Sequence, residues 1–202
     1  MEMTDMALER LKKQIKFIIE IDKLKQIKRR TILIDRSRAE NAAEHSWHIA
    51  VMAALLLEYS NDRGIDLLRV LKMILMHDLV EIDAGDTYCY DDEEAGDQAE
   101  RERLAAERIF DMLPQDQARE YRALWNEFEA YKTSEARFAG ALDRLQPLLN
   151  NYHTGGISWR DNNVNSAQVV SRNKAIEEGS ATLWDYAANM IHDAVSRNLL
   201  SK

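Results

Sequence analysis

Proline and glycine are scarce in this chain, at two and seven among 202 residues. So few turn formers argue against an architecture of short strands and tight turns, and favour long helices. A single cysteine, Cys89, excludes an internal disulfide and fits a reducing cytosol, so a cytoplasmic location is expected. Positive charge is not in excess. The formal net charge of −8 excludes a general basic face for nucleic acid, but leaves an anionic small substrate open, because a metal ion and local arginines can reverse the field at a site. No apolar run is long enough to span a membrane, and the N-terminal stretch has no signal-type apolar core. What remains, 46% hydrophobic and 31% charged residues, suits one soluble domain over 1–202. No internal repeat or low-complexity linker divides it.

Helical periodicity fills most of the length. Leu8, Leu11, Ile15, Ile18 and Ile19 recur at three- and four-residue steps, and Leu24 and Ile27 extend the face. This first helix is expected to end near Arg29-Arg30, where cationic charge suits a helix C-terminus. Residues 31–35 read as a short extended piece, too little for a sheet. A second helix is expected over about 42–59 and a third over about 66–82, with a turn cluster at 61–64 between them. The stretch 83–96, with Gly85, Asp86 and four consecutive acids at 91–94, reads as an irregular loop. Helices resume near 98–112 and again from Asp116, a candidate N-cap after Pro114, while Ser134 is a candidate cap for the following helix. Pro147 is expected to bend or end that helix. Thr154-Gly155-Gly156 opens a second loop, and two closing helices follow, divided near Gly179-Ser180. The fold class is therefore all-α, a helical bundle.

The chemistry concentrates at His77-Asp78, which closes an apolar helical run beginning at Val70. An imidazole and a carboxylate buried there need partners, and a divalent metal is one. Two further candidate ligands lie elsewhere, His45 and Asp143. Neighbouring side chains on a helix point about 100° apart, so His77 and Asp78 meet one ion only if it sits beside the helix end with ligands arriving from other helices. Two nitrogens and two carboxylates make a mixed site suited to several divalent ions. Glu81 lies one turn from His77, placed to take a proton from an attacking water. Asp86 is a candidate for leaving-group or sugar contact.

The dipeptide alone is weak. His192-Asp193 repeats it without a Glu three residues on, and reads as a surface or packing pair. His48 shares the face of His45 and reads as a supporting or core residue, and His153 as structural or exposed.

Taken together, the chain resembles the HD-domain phosphohydrolases, and within them the subgroup of 5′-deoxynucleotidases. The likeness rests on Glu40-Asn41-Ala42-Ala43-Glu44-His45-Ser46, on His77-Asp78-Leu79-Val80-Glu81-Ile82-Asp83-Ala84-Gly85-Asp86, and on Ala141-Leu142-Asp143-Arg144-Leu145-Gln146-Pro147. It covers about 11–153, with C-terminal helices over about 165–200 beyond it. The resemblance implies an all-helical HD-type fold. It implies one divalent metal (Mn, Co, Zn, Fe, Ni or Mg) held by His45, His77, Asp78 and Asp143. It also implies Glu81 as the catalytic carboxylate, Asp86 facing the substrate, and Thr87, Tyr88 and Cys89 lining a nucleotide pocket. In the subgroup an Arg-Trp pair orients the phosphate and screens the sugar. Arg30 takes the arginine position and suits a phosphate, while Thr31 replaces the tryptophan, a departure at the point where deoxyribose is preferred over ribose. Homodimers are a tendency of the subgroup.

The expected activity is hydrolysis of a phosphomonoester, first a nucleoside 5′-monophosphate. The rivals are hydrolysis of a phosphodiester or pyrophosphate, and a metal-binding regulatory module without turnover. Arg36 and Arg38 are secondary candidates for the phosphate.

Overall fold

The computed structural model describes residues 5–90 and 96–202. The acidic run 91–94 that the sequence places in a loop lies outside the described residues. The first helix, α1 (Asp5–Ile21), tightens into a 3-10 turn (Asp22–Gln26) and stops there. It does not reach Arg29-Arg30. These two arginines lie instead on a strand, β1 (Lys28–Ile32), which pairs antiparallel with β2 (Ala39–Asn41) in a two-stranded sheet. The extended piece foreseen in the sequence thus begins three residues earlier and does form a sheet, because 39–41 supplies the partner strand. Its alternation buries Thr31 and half-buries Arg29, while Lys28 and Arg30 face outward.

A reciprocal cap starts α2 (Ala42–Leu56). The Asn41 side chain accepts from the Glu44 backbone N–H at 3.0 Å, and the Glu44 carboxylate accepts from the Asn41 N–H at 3.2 Å. A 3-10 turn (Leu57–Tyr59) follows. Asp66 caps α3 (Leu67–His77) through the N–H groups of Leu68 and Arg69. The single helix expected over 66–82 is broken, because Asp78–Val80 form a 3-10 turn before α4 (Glu81–Ala84). Asp78 sits at φ −84°, ψ −2°, in the sparsely populated bridge region. Gly85, at φ 78°, then turns the chain out of α4, a conformation that favours glycine.

Beyond the described gap come α5 (Gln98–Phe110), α6 (Gln115–Ala130) and α7 (Ser134–His153). Pro114, not Asp116, occupies the cap of α6. Proline's fixed φ suits a helix entry, and Asp116 is instead held by the Arg10 guanidinium at 2.6 and 2.8 Å. Thr133, not Ser134, caps α7 by accepting from the Ala136 N–H at 3.2 Å. The helix does not end at Pro147 but runs six residues past it. The Asn151 side chain donates to the Pro147 carbonyl at 2.9 Å there. The second loop carries a short helix, α8 (Ile157–Asp161), which was not foreseen. The closing segment is α9 (Ser166–Asn173), α10 (Ile176–Gly179) and α11 (Ala181–Ser196). Its division at Gly179-Ser180 is as read from the sequence, but the first of the two expected helices is itself split into α9 and α10. Gly179 lies so close to the Arg137 carbonyl and Ala141 of α7 that a side chain there would collide.

Helix α7 is the axis. Phe138, Leu142 and Leu145 of α7 pack with Ile49 and Ala53 of α2, Val70 and Ile74 of α3, Trp159 of α8, and Ile176, Ala187 and Ile191 of the closing helices. A second core joins Phe17 and Leu24 to Leu79, Val80, Ala106, Ile109, Phe110 and Trp125. The 3-10 turn at Asp78 lies where the two cores meet, and that junction positions the site.

Candidate active site

Four segments converge on one cluster. The first turn of α2 carries His45, the end of α3 carries His77, the 3-10 turn carries Asp78, and the middle of α7 carries Asp143. Ligand atoms of His45, His77 and Asp143 all lie within 4.8 Å of one another. Asp143 Oδ1 is 2.9 Å from His45 Nε2 and 3.7 Å from His77 Nε2. Asp78 stands at the side of this trio, with Oδ1 2.9 Å from His77 Nε2 and Oδ2 4.0 Å from His45 Nε2.

Both imidazoles are held by their far nitrogens. His77 Nδ1 lies 2.7 Å from the Ile74 carbonyl oxygen, which can only accept, so Nδ1 carries the proton. His45 Nδ1 lies 2.9 Å from Gln146 Oε1 and donates likewise. In the neutral rings Nε2 is then the lone-pair atom, turned into the cluster. His77 Nε2 is buried and has no hydrogen-bond partner, since Asp78 Oδ1 is near but off the line of the ring nitrogen. Two lone pairs and a set of carboxylates, with one buried nitrogen unsatisfied, form a donor set that a divalent metal ion fits.

The electrostatics ask for positive charge. Burial works against the Asp143 and Asp78 carboxylates, but the imidazoles, joined at Asp78 by Arg29, more than offset it and hold both below the usual range. Burial likewise works against a charged His77, yet Asp78 and Asp143 raise its pKa well above the ordinary value. A cation replacing that proton meets the same field. Glu81 is buried, with Oε2 unpartnered. Burial first, and then the Asp78 charge, push its pKa well up. Burial also raises Asp86, against the pull of Arg29.

Arg29 is the residue that reading the sequence as helix missed. Its Nη1 is 3.3 Å from Asp78 Oδ2, 3.6 Å from Asp86 Oδ1 and 3.9 Å from Glu81 Oε1, and its Nε is 3.9 Å from Glu40 Oε2. Strand alternation, had it been read from residue 28, would have turned Arg29 inward. Arg30 rests over the Tyr88 ring at 5.9 Å.

The cluster forms the floor of a cleft of about 320 Å³. The residues singled out in the sequence for the site all line it except His45, which is fully buried, and the secondary phosphate candidates Arg36 and Arg38. Arg30, Thr31, Asp86, Thr87, Tyr88 and Cys89 are all on its walls. Residues not anticipated are there too: Glu102, Glu129, Arg144, Trp159, Arg172 and Asn173. Burial, and then Glu102, push Glu129 up to about 7. His48 is a supporting residue, its Nδ1 3.2 Å from Gln146 Nε2. His153 is exposed against Tyr152. His192 is exposed, and Asp193 accepts from Tyr152 and Arg197. Of the other arginines, Arg38 is engaged by Glu44 at 2.6 Å, and Arg36 is exposed at φ 65°.

The HD domain family model matches residues 21–184, and the chain belongs to that family. The chain is similar to the 5′-deoxynucleotidase HDDC2 of Homo sapiens, 28% identical over 136 residues that cover 67% of this chain and 65% of that protein. It therefore aligns with slightly under two thirds of the curated relative's length. Among solved structures it is similar to a protein of Magnetospirillum magnetotacticum MS-1, described as a predicted metal-dependent phosphohydrolase. That protein is 54% identical, with a TM-score of 0.91 over 96% of each chain. The PH0347 protein of Pyrococcus horikoshii OT3, at 22% identity and a TM-score of 0.64 over 89% of this chain and 97% of that one, shares the fold.

Proposed function

We propose that this protein is a metal-dependent phosphomonoesterase acting on nucleoside 5′-monophosphates. The observation that carries the reading is the pairing of an inward-facing histidine–carboxylate cluster with a buried Glu81, whose Oε2 has no hydrogen-bond partner, at the floor of an open cleft. His45, His77, Asp78 and Asp143 would hold one divalent ion, of the set Mn, Co, Zn, Fe, Ni or Mg. When bound, such an ion supplies a polarising charge for the phosphate and a more acidic water.

The rest is done by the chain. Glu81 accepts the proton of the attacking water as its oxygen bonds to phosphorus. The proton taken by Glu81 is passed on to the sugar oxygen as the phosphorus–oxygen bond breaks, with Asp86 on the cleft wall as its carrier. Arg30, which forms no ion pair among the described residues, takes phosphoryl oxygens from the cleft wall. Arg29 fixes Asp78, Glu81 and Asp86 relative to one another. Thr31, Thr87, Tyr88 and Cys89 bound the nucleoside. The name of the human relative, a 5′-deoxynucleotidase, supports the substrate class.

The test is protein stripped of metal, reloaded with single ions and assayed on a panel of phosphomonoesters. Phosphate release from nucleoside 5′-monophosphates is expected, and no release with any ion would sink the reading. Arg144 and Arg172 add two cations to the cleft that the sequence did not place there. They favour, as second reading, a phosphodiester or pyrophosphate substrate, so a cyclic dinucleotide and a nucleoside triphosphate belong in the panel. A binding module without turnover predicts no release from either group.

We further read the chain as cytoplasmic and homodimeric, without a nucleic-acid partner. No helix among the described residues is long and apolar enough to cross a membrane. Exposed Leu11, Ile15, Ile18 and Ile19 on α1 support self-association, which sedimentation tests.

A further inference from the structure

Behind His45, away from the cleft, lies a polar chain with no part in the chemistry described so far. Gln146 is fully buried, and Glu40 is 2% exposed. Gln146 Nε2 donates to Glu40 Oε1 at 2.7 Å. Its Oε1 faces His45 Nδ1 at 2.9 Å. Asn150 Nδ2 reaches the same Glu40 oxygen at 3.5 Å. The other Glu40 oxygen is buried without a hydrogen-bond partner and lies 3.9 Å from Arg29 Nε, which is also unpartnered.

The direction of this chain follows from what each group can do. A carboxylate only accepts, so it selects the NH2 end of the Gln146 amide. The amide oxygen is then left to His45, where it demands a proton on Nδ1. With Nδ1 spent, His45 presents the Nε2 lone pair toward Asp143 and His77. His48 Nδ1, 3.2 Å from Gln146 Nε2, accepts from the same NH2 group and adds nothing to the selection that Glu40 has not made.

We infer that Glu40 and Gln146 are positioning residues that set the tautomer of His45, so that its Nε2 is kept as a metal ligand. The inference rests on the metal reading above. Gln146 comes three residues after Asp143 on α7, and Glu40 is the last buried residue before the α2 cap. One helix thus delivers a ligand and the support of another. Through its second oxygen Glu40 also faces Arg29, so the same buried carboxylate adjoins both the ligand set and the guanidinium that gathers the remaining acids.

The test uses the full chain, stripped of metal, with zinc alone as the probe. Zinc affinity is read by competition with a chromophoric chelator. The His45 ring N–H is read by proton–nitrogen NMR of the zinc-loaded protein. The wild type is expected to bind one zinc and to show a slowly exchanging Nδ1–H. Gln146→Leu, of similar volume, is expected to lose roughly 10- to 100-fold in zinc affinity, the range typical of lost outer partners, and to lose the protected Nδ1–H. Gln146→Glu keeps an oxygen opposite His45, provided the two buried carboxyls share one proton between residues 40 and 146, and is expected to recover the protected Nδ1–H and most of the affinity at mildly acidic pH.

Glu40→Gln keeps the shape but lets the Gln146 amide turn over. It gives a second measurement should the leucine variant not fold, with an expected loss of about 3- to 10-fold. Wild-type zinc affinity together with a retained Nδ1–H in Gln146→Leu, or unchanged affinity in Glu40→Gln, overturns the inference while leaving the metal reading standing. A wild type that takes up no zinc overturns the metal reading and the inference with it.

Discussion

Arg29 Nη1 lies 3.3 Å from Asp78 Oδ2, and Glu40, Glu81 and Asp86 all stand within 3.9 Å of the same guanidinium. One fixed cation, mostly shielded from water, serves four carboxylates. Burial alone would cost Arg29 its proton affinity, but Asp78, Asp86 and Glu81 more than restore it.

Removing that cation strands the acids around it. Leaving a buried charge without its partner costs about 3–5 kcal/mol, and for a chain of this size that corresponds to a melting temperature lower by roughly 6–20 °C. Arg29→Met in metal-free protein is expected to show this loss near neutral pH and to recover part of it on acidification, as the stranded carboxylates take protons. Thermal melts at two pH values check it. Equal melting of variant and wild type at both would show that the guanidinium is not what neutralises the cluster.

The metal-free wild type has its own pH dependence, and its sign follows from the raised groups, His77 and Glu81 with Asp86 and Glu129 acting in the same direction. His77 and Glu81 both bind protons more tightly folded than unfolded. Their stabilisation is complete below their unfolded pKa values, about 6.5 and 4.5, and is lost as pH rises through the higher folded values. Asp143 and Asp78 act oppositely, and their contribution disappears only in acid, below the usual carboxylate range. Stability of the stripped protein is therefore expected to fall as pH rises from mildly acidic to alkaline. A bound divalent ion replaces the released protons and flattens the trend. At a free-metal concentration a hundred times its dissociation constant, mass action adds about 2.7 kcal/mol. Melting curves with and without chelator across that pH range measure both effects.

Glu81 is the sharpest test of turnover. Its replacement by glutamine keeps the volume and removes the base, so hydrolysis is expected to fall by roughly 10²- to 10⁴-fold with metal content unchanged. Because burial and the Asp78 charge raise the Glu81 carboxyl, the acid limb of kcat/KM is expected above the ordinary carboxylate range, and absent in the variant's residual activity. Full activity in Glu81→Gln would deny the residue any role in proton transfer.

Part of the candidate cluster was legible: His45, His77 and Asp143 were singled out from their residue types and from the resemblance to the HD-domain family, and the helices that carry them do bring them together. Arg29 was not legible. Read as the end of a helix, Arg29 and Arg30 are equivalent flanking cations, whereas read as a strand they point to opposite sides, and only the pairing with 39–41 decides between the two. The 3-10 turn at Asp78 was hidden as well, since nothing in its sequence marks it off from the helical run before it. Gln146 had a local signal, three residues after Asp143 on one helix face, but its acceptor role depends on Glu40, 106 residues away. The cap of α7 moved by one residue, from Ser134 to Thr133, because both hydroxyls suit the position and only the backbone distinguishes them.

Thr31 bears on which sugar is accepted. It is buried on β1 with 7% exposure and lines the cleft, at the position where the resemblance to the 5′-deoxynucleotidases implies a tryptophan. A threonine is much smaller than an indole, so the side chain at this position presents no steric block to a 2′-hydroxyl. A single hydroxyl that merely fits an open space changes discrimination little; strong selection needs either a steric block or an unpaired buried polar group. The expected ratio of kcat/KM between a 2′-deoxyribonucleoside 5′-monophosphate and its ribose counterpart is therefore within about tenfold, or ~1.4 kcal/mol. Thr31→Trp is expected to lower the ribonucleotide rate more than the deoxyribonucleotide rate, provided the indole is accommodated toward the cleft and not in the core behind β1, which a melting temperature near wild type would establish. Matched assays on one base in both sugars decide it. A wild-type preference for deoxyribose above a hundredfold would mean that another wall of the cleft, built around Tyr88 and Trp159, performs the selection in place of residue 31.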